Sequence, residues 1–216
     1  VNTVLTNNTA YNSGGAIENL NGILQSTHDT FIGNTAVNAG GALSNSGPLT
    51  LTNSTVSANS TMGDTGPTGG NSGGGGLYNN GTAMVITSTF TLNHATGGTG
   101  IAGPGGNADG GAVENSGTLV ASGSTFSSNV SIAGASSSGG NGAHGGAISN
   151  IGGTLSLLNS TLSGNSSGSG GALENYAHSA TIIFNSTLND DTAYNSGGAI
   201  ENLGGALGAN NSTLTG

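Results

Sequence analysis

The sequence predicts a single all-β domain over residues 1–216, a right-handed parallel β-helix of about seven rungs. Three observations predict it. A six-residue motif occurs seven times at intervals of 25–27 or 34–36 residues, a second motif follows each copy, and the apolar residues between them alternate with polar ones. No stretch has helical periodicity, and the density of Gly, Asn, Ser and Thr disfavours helix.

The first motif is Gly-Gly, two small or aliphatic residues, a variable residue and Asn. It spans Gly14–Asn19, Gly40–Asn45, Gly74–Asn79, Gly110–Asn115, Gly145–Asn150, Gly170–Asn175 and Gly197–Asn202. Successive second glycines lie 26, 34, 36, 35, 25 and 27 residues apart. The second motif is Thr, an apolar residue, two residues, then Asn, as in Thr55-Val56…Asn59 and Thr161-Leu162…Asn165; Thr187-Leu188…Asp191 closes the series with an acid. The basic turn is therefore about 25 residues. Three consecutive turns carry Gly-rich corner insertions, at 60–73, 94–109 and 130–144.

Alternation as in Leu49-Thr50-Leu51-Thr52 is strand periodicity, and three short strands per turn are expected. Seven turns at about 4.8 Å each would make a rod roughly 34 Å long. Ile17, Leu43, Leu77, Val113, Ile148, Leu173 and Ile200 would form one inward column. Phe31, Val56, Phe90, Phe126, Leu162 and Leu188 would form another. Such columns let a chain that is only 32% hydrophobic bury a continuous core. The paired glycines fall at a corner, where positive φ costs glycine little, and a repeated Asn can hydrogen-bond its copy one rung away.

GGAI, ending at Ile17, Ile148 and Ile200, is followed by F-x-x-N at Phe31–Asn34, Phe90–Asn93 and Phe126–Asn129. This pairing resembles the repeats of the polymorphic outer membrane protein family, the β-helical passengers of bacterial autotransporter adhesins. The resemblance covers nearly the whole chain. It implies a right-handed β-helix at the cell surface or outside the cell, and parallel crossovers favour the same hand.

Composition excludes several functions. There is no Lys or Arg and the formal net charge is −9, which removes the cations that phosphate backbones, a P-loop or a polybasic membrane contact require. No nucleic-acid partner and no cofactor are expected. Without Cys there is neither a disulfide nor a thiolate metal site. No apolar run approaches the roughly 20 residues of a membrane span. Val1 opens no signal peptide, so a mature or excised segment is expected. The missing Lys and Arg also remove every trypsin-type cleavage site, which suits an exposed fibre.

No enzyme is expected. β-Helical polysaccharide lyases resemble this fold but rely on a basic residue. His28, His94, His144 and His178 fall in unrelated contexts. Gly-x-Ser-x-Gly strings around Ser72 and Ser166 are common by chance in such a chain. Calcium has two weak candidate sites, Glu174 with Glu201 on neighbouring rungs, and Asp190 with Asp191.

The ends carry the strongest functional signal. Residues 8–24 match residues 191–207 at 14 of 17 positions, at an offset of 183. The chain is either one period of a longer repetitive polypeptide or a subunit whose last rung pairs with the first rung of the next copy, giving an open head-to-tail homopolymer. The expected assembly residues are Thr9, Tyr11, Ile17, Asn19, Thr192, Tyr194, Ile200, Asn202 and Thr213. Two alternatives remain. The inserted loops could hold a host or surface glycan or protein, as in an adhesin. The ladder containing Thr55, Thr89, Thr125 and Thr161 resembles the Thr-x-Thr face of ice-binding solenoids, although β-propensity and cross-rung Thr hydrogen bonds explain it better, since Ser substitutes freely in it. Asn-x-Ser/Thr acceptors at Asn53, Asn59, Asn159, Asn165, Asn185 and Asn211 would allow glycosylation of an exported chain.

Overall fold

A computed structural model describes residues 2–136 and 141–216. The chain winds as a parallel β-helix with no helix among the described residues. Each turn contributes four strands rather than the expected three, and the three turns with insertions add a fifth, at Ser72–Gly73, Ala108–Asp109 and Ala143–His144. Sheet 1 has eight strands: Val4–Thr6, Thr30–Ile32, Thr55–Ser57, Thr89–Thr91, Thr125–Ser127, Thr161–Ser163, Thr187–Asn189 and Thr213–Thr215. Sheet 2 begins at Thr9–Ala10 and ends at Thr192–Ser196, sheet 3 holds the Gly-Gly motif strands from Ile17–Asn19 to Ile200–Leu203, and sheet 4 runs from Leu24–Thr27 to Ala206–Asn210. The extra corner comes from the second motif. The residue before its Asn takes a left-handed backbone, for example Ala58 at φ 52° and Leu92 at φ 57°, and so bends the chain from sheet 1 into sheet 2.

Equivalent positions stack. The sheet 3 column pairs Ile17 with Leu43, Leu43 with Leu77, Leu77 with Val113, and so on to Ile200. The sheet 1 column is equally regular, and Phe90 stacks on Phe126 with centroids 5.1 Å apart. Sheet 4 supplies the facing wall, with Leu49, Leu51, Val85, Leu119, Leu155, Leu157 and Ile183 in the same core cluster.

Asparagine closes each turn. At the corner between sheets 1 and 2, Asn34 donates to Asn59, Asn59 to Asn93, Asn93 to Asn129 and Asn129 to Asn165, all amide to carbonyl at 2.9–3.0 Å. Each main-chain N–H of this series donates to the same acceptor. A second ladder runs along sheet 3 from Asn19 through Asn45, Asn79, Asn115, Asn150 and Asn175 to Asn202. These amides sit in the core without cost because both their donors and acceptors are satisfied by the adjacent rung.

The two glycines of the motif do different work. The first is left-handed, as at Gly110 with φ 65°, where a Cβ would also lie 2.0 Å from the Val113 carbonyl oxygen. The second allows rung-to-rung approach: a Cβ on Gly41 would lie 2.1 Å from the carbonyl oxygen of Gly75 one rung on.

The expected insertions stack on rungs three to five, joined by bridges from Gly66 to Gly100 and from Gly100 to Ser136. Glycine segments there bond outside any strand, with Gly98 donating to Gly70, Gly106 to Gly98 and Gly134 to Gly106. This is the side-by-side glycine packing that such sequences allow. Of the third loop, 137–140 lie outside the described residues.

Replacing Asn93 by Ala would remove the acceptor of the buried Asn59 main-chain N–H and amide, and the side-chain donor to the Val56 and Asn129 carbonyls, leaving Asn129 only the main-chain N–H. The expected loss is about 3 kcal/mol or more, read as a lowered midpoint in chemical denaturation. Exposed Asn38, whose amide bonds only Asn12 at the surface, should tolerate the same change with little loss.

Candidate functional site

The position before each Gly-Gly pair forms a column: Ser13, Ala39, Gly73, Asp109, His144, Ser169, Ser196. It faces the column of variable motif residues Glu18, Ser44, Tyr78, Glu114, Ser149, Glu174 and Glu201, which pair in register along sheet 3. In the end rungs the two columns meet as hydroxyl and carboxylate, with Ser13 donating to Glu18 at 2.6 Å and Ser196 to Glu201 at 2.5 Å. Where the insertions rejoin the rod, the first column becomes ionisable. Asp109 and His144 end the strands Ala108–Asp109 and Ala143–His144, which pair with each other.

A titratable cluster results. His144 Nδ1 lies 2.8 Å and 3.0 Å from the two oxygens of Glu174, which is sealed from solvent. The Tyr176 ring meets His144 edge-on at 5.6 Å. Glu114 folds over Gly73, filling the space a side chain there would need. Burial pushes the Asp109 carboxyl up to about 6, with His144 opposing and Glu174 adding to the shift. Burial, reinforced by Asp109, pushes Glu114 up to about 8. For His144, burial pulls downward, but the hydrogen bond to Glu174 and the charges of Glu174, Asp109 and Glu201 outweigh it, so the imidazole titrates above its ordinary value. Tyr176 is held above its usual range, chiefly by burial and then by Asp109 and Glu174. Glu114 is therefore largely protonated at neutral pH, and the hydrogen bond to Glu174 favours the protonated form of His144.

Among the described residues, no group of three or more His, Asp or Glu side chains converges as a metal would require. The two calcium candidates separate. Glu174 is committed to His144 and Glu201 to Ser196, although the two glutamates do occupy neighbouring rungs. Asp191 Oδ1 accepts the amide and the main-chain N–H of Asn165 at 2.9 Å, extending the corner ladder. Asp190 makes the left-handed corner beside it, at φ 55°, and accepts from Asn189.

The expected assembly residues divide. Ile17 and Ile200 pack half-buried against the two ends of the core, and Asn19 and Asn202 end the sheet 3 ladder. Thr9, Thr192 and Thr213 are exposed strand residues of the end rungs. Tyr11 and Tyr194 are 83% and 93% exposed and belong to no inward column. On sheet 1, Thr55, Thr89, Thr125 and Thr161 stand in register and half-buried. The companion column two residues on mixes Ile32, Ser57, Thr91, Ser127, Ser163 and Asn189, so the hydroxyl face is interrupted. Of the glycosylation acceptors, Asn59 and Asn165 are fully buried in the ladder, whereas Asn53, Asn159, Asn185 and Asn211 lie exposed at corners.

Sequence reasoning placed the glutamate column but missed its partners Asp109 and His144, and treated His144 as isolated. The signal was available in the residues preceding each glycine pair, written one above another. Asp109 and His144 close insertions of different composition, so no local motif marks them.

No protein-family model, no curated protein and no solved structure matches this chain.

The shifts of Asp109, Glu114 and His144 act in one direction on stability. A raised carboxyl favours folding while protonated, and this advantage is lost as pH climbs from the unfolded value toward the folded one; a raised histidine likewise loses its contribution as pH rises above the ordinary 6.5. Stability should therefore fall between pH 5 and 8. Glu114→Gln should leave stability at pH 4 little changed and raise it at pH 8 by about 2 kcal/mol, so denaturation midpoints across pH should show a flatter profile.

Proposed function

We propose that this chain is a non-enzymatic structural rod of the cell exterior, building an extended fibre by head-to-tail stacking of copies. The observation that carries the reading is the equivalence of rungs one and seven. They are nearly identical in sequence over residues 8–24 and 191–207, and each carries the core column and the Asn ladder to an end of the described rod. A rung added beyond Ile200 and Asn202 finds the same columns that rung two finds on Ile17 and Asn19. The absence of tryptic sites and of Cys supports an exposed, oxidation-indifferent setting.

The joint has a defined shape. The strand Thr213–Thr215 overhangs rung seven on sheet 1 and places Leu214 in the column position that Leu5 holds at the other end. In a stacked copy it takes the place of Val4–Thr6, so the ends meet as a lap joint. Exposed Glu18 then comes over Glu201, a like-charge contact that salt screens and acid removes. Electron microscopy at tens of micromolar protein should show filaments that lengthen at high salt or near pH 4, while Ile200→Lys stays as single rods. Dispersed wild-type rods under all these conditions would overturn the reading.

A further inference from the structure

Where the inserted loops stop, the side of the rod steps inward. At rung five the described ends of the third insertion, 130–133 and 141–143, face rungs six and seven, which carry no insertion. The step encloses a cleft of about 540 Å³, within the range of small-ligand sites. Its lining includes Tyr194, Asn195, Asn141, Ser131, Ser166 and Ile132.

Three features of this cleft point to one ligand chemistry. The Tyr194 ring is 93% exposed, one of only eight Phe and Tyr residues in the chain, and it contributes nothing to the core. Ser131 lines the cleft at 3% exposure, and its Oγ is buried without a hydrogen-bond partner. Buried hydroxyls without partners are uncommon because desolvation is uncompensated. Finally, among the described residues no Asp, Glu or His lines the cleft, although the chain carries a net charge of −9.

We infer that this cleft binds a neutral oligosaccharide, with a sugar ring lying on Tyr194 and its hydroxyls bonded to Ser131, Asn141 and Asn195. A pyranose has an apolar face of C–H groups that suits an aromatic ring, and an equatorial rim of hydroxyls that suits amides and a serine. A peptide of either charge finds no counter-ion here, and a purely apolar ligand would leave the Ser131 hydroxyl unpaired. The bulge between Ser167 and Ser169 widens the floor at rung six, with Gly168 in the lining. The site lies on the flank of the rod, so it does not depend on end-to-end stacking.

The test is calorimetric titration of the intact chain, in dilute solution where rods are single, with cellohexaose, mannohexaose, xylohexaose and hexagalacturonate. The expected result is binding of at least one neutral hexasaccharide at micromolar to millimolar concentration, with a change in tyrosine fluorescence. Tyr194→Ala should weaken it at least tenfold and Tyr194→Phe by no more than about threefold, since the ring and not the hydroxyl carries the contact. Ser131→Ala should weaken it several-fold while circular dichroism stays unchanged. Absence of binding by every neutral sugar at millimolar concentration, binding indifferent to Tyr194→Ala, or preference for hexagalacturonate would each overturn the inference.

Discussion

Register between neighbouring turns is the constraint on which this molecule depends. Parallel strands at about 4.8 Å leave no room for error, because each rung must present the next with backbone groups at one height around the whole circuit. The second glycine of each motif secures this at the tightest point, where the carbonyl of the adjacent rung sits in the space a side chain would take. The asparagine ladders secure it at two further corners, since an amide can donate to the next amide only if the rungs are level. Apolar columns then fill the interior, but they tolerate Leu, Val, Ile and Phe interchangeably and so fix height less strictly than the polar ladders do.

The same register explains where ionisable chemistry collects. An outward position is free to vary, and stacking converts its variation into contact between residues some thirty positions apart. Asp109, Glu114, His144 and Glu174 meet in this way. Covered by the returning strands of the insertions, Asp109 and Glu114 lose water and hold their protons more tightly, which ties the stability of this part of the rod to pH. Ser13 with Glu18 and Ser196 with Glu201 show the same geometry without the histidine and without deep burial.

The insertions alter the outline of the rod without disturbing its core. Their glycine segments are knitted by main-chain hydrogen bonds, so the backbone rather than side chains holds them together. Because they occupy rungs three to five only, they end in steps, and a step on a solenoid flank is a cleft. The large exposed aromatic beside that step belongs to rung seven, the rung that copies the first. Repetition and local departure from repetition thus have separate roles, the first in building length and the second in creating surface.

The parallel solenoid, the rung length, the two principal core columns and the stacked asparagines could all be read from spacing, because each depends on residues that recur at fixed positions and a repeat need only be aligned with itself. The insertion sites were legible for the same reason. The fourth strand per turn was not, since left-handed corners are occupied by Ala58, Leu92 and Ser128 as readily as by glycine, and these residues do not announce a bend. Nor were the pairing of His144 with Glu174 and the unpaired hydroxyl of Ser131, which arise from side-chain directions and from what overlies them. Sequence determined which residues share a column; only the tertiary structure decided which columns face one another and which are covered, because burial is a property of the assembled rungs and not of any one of them.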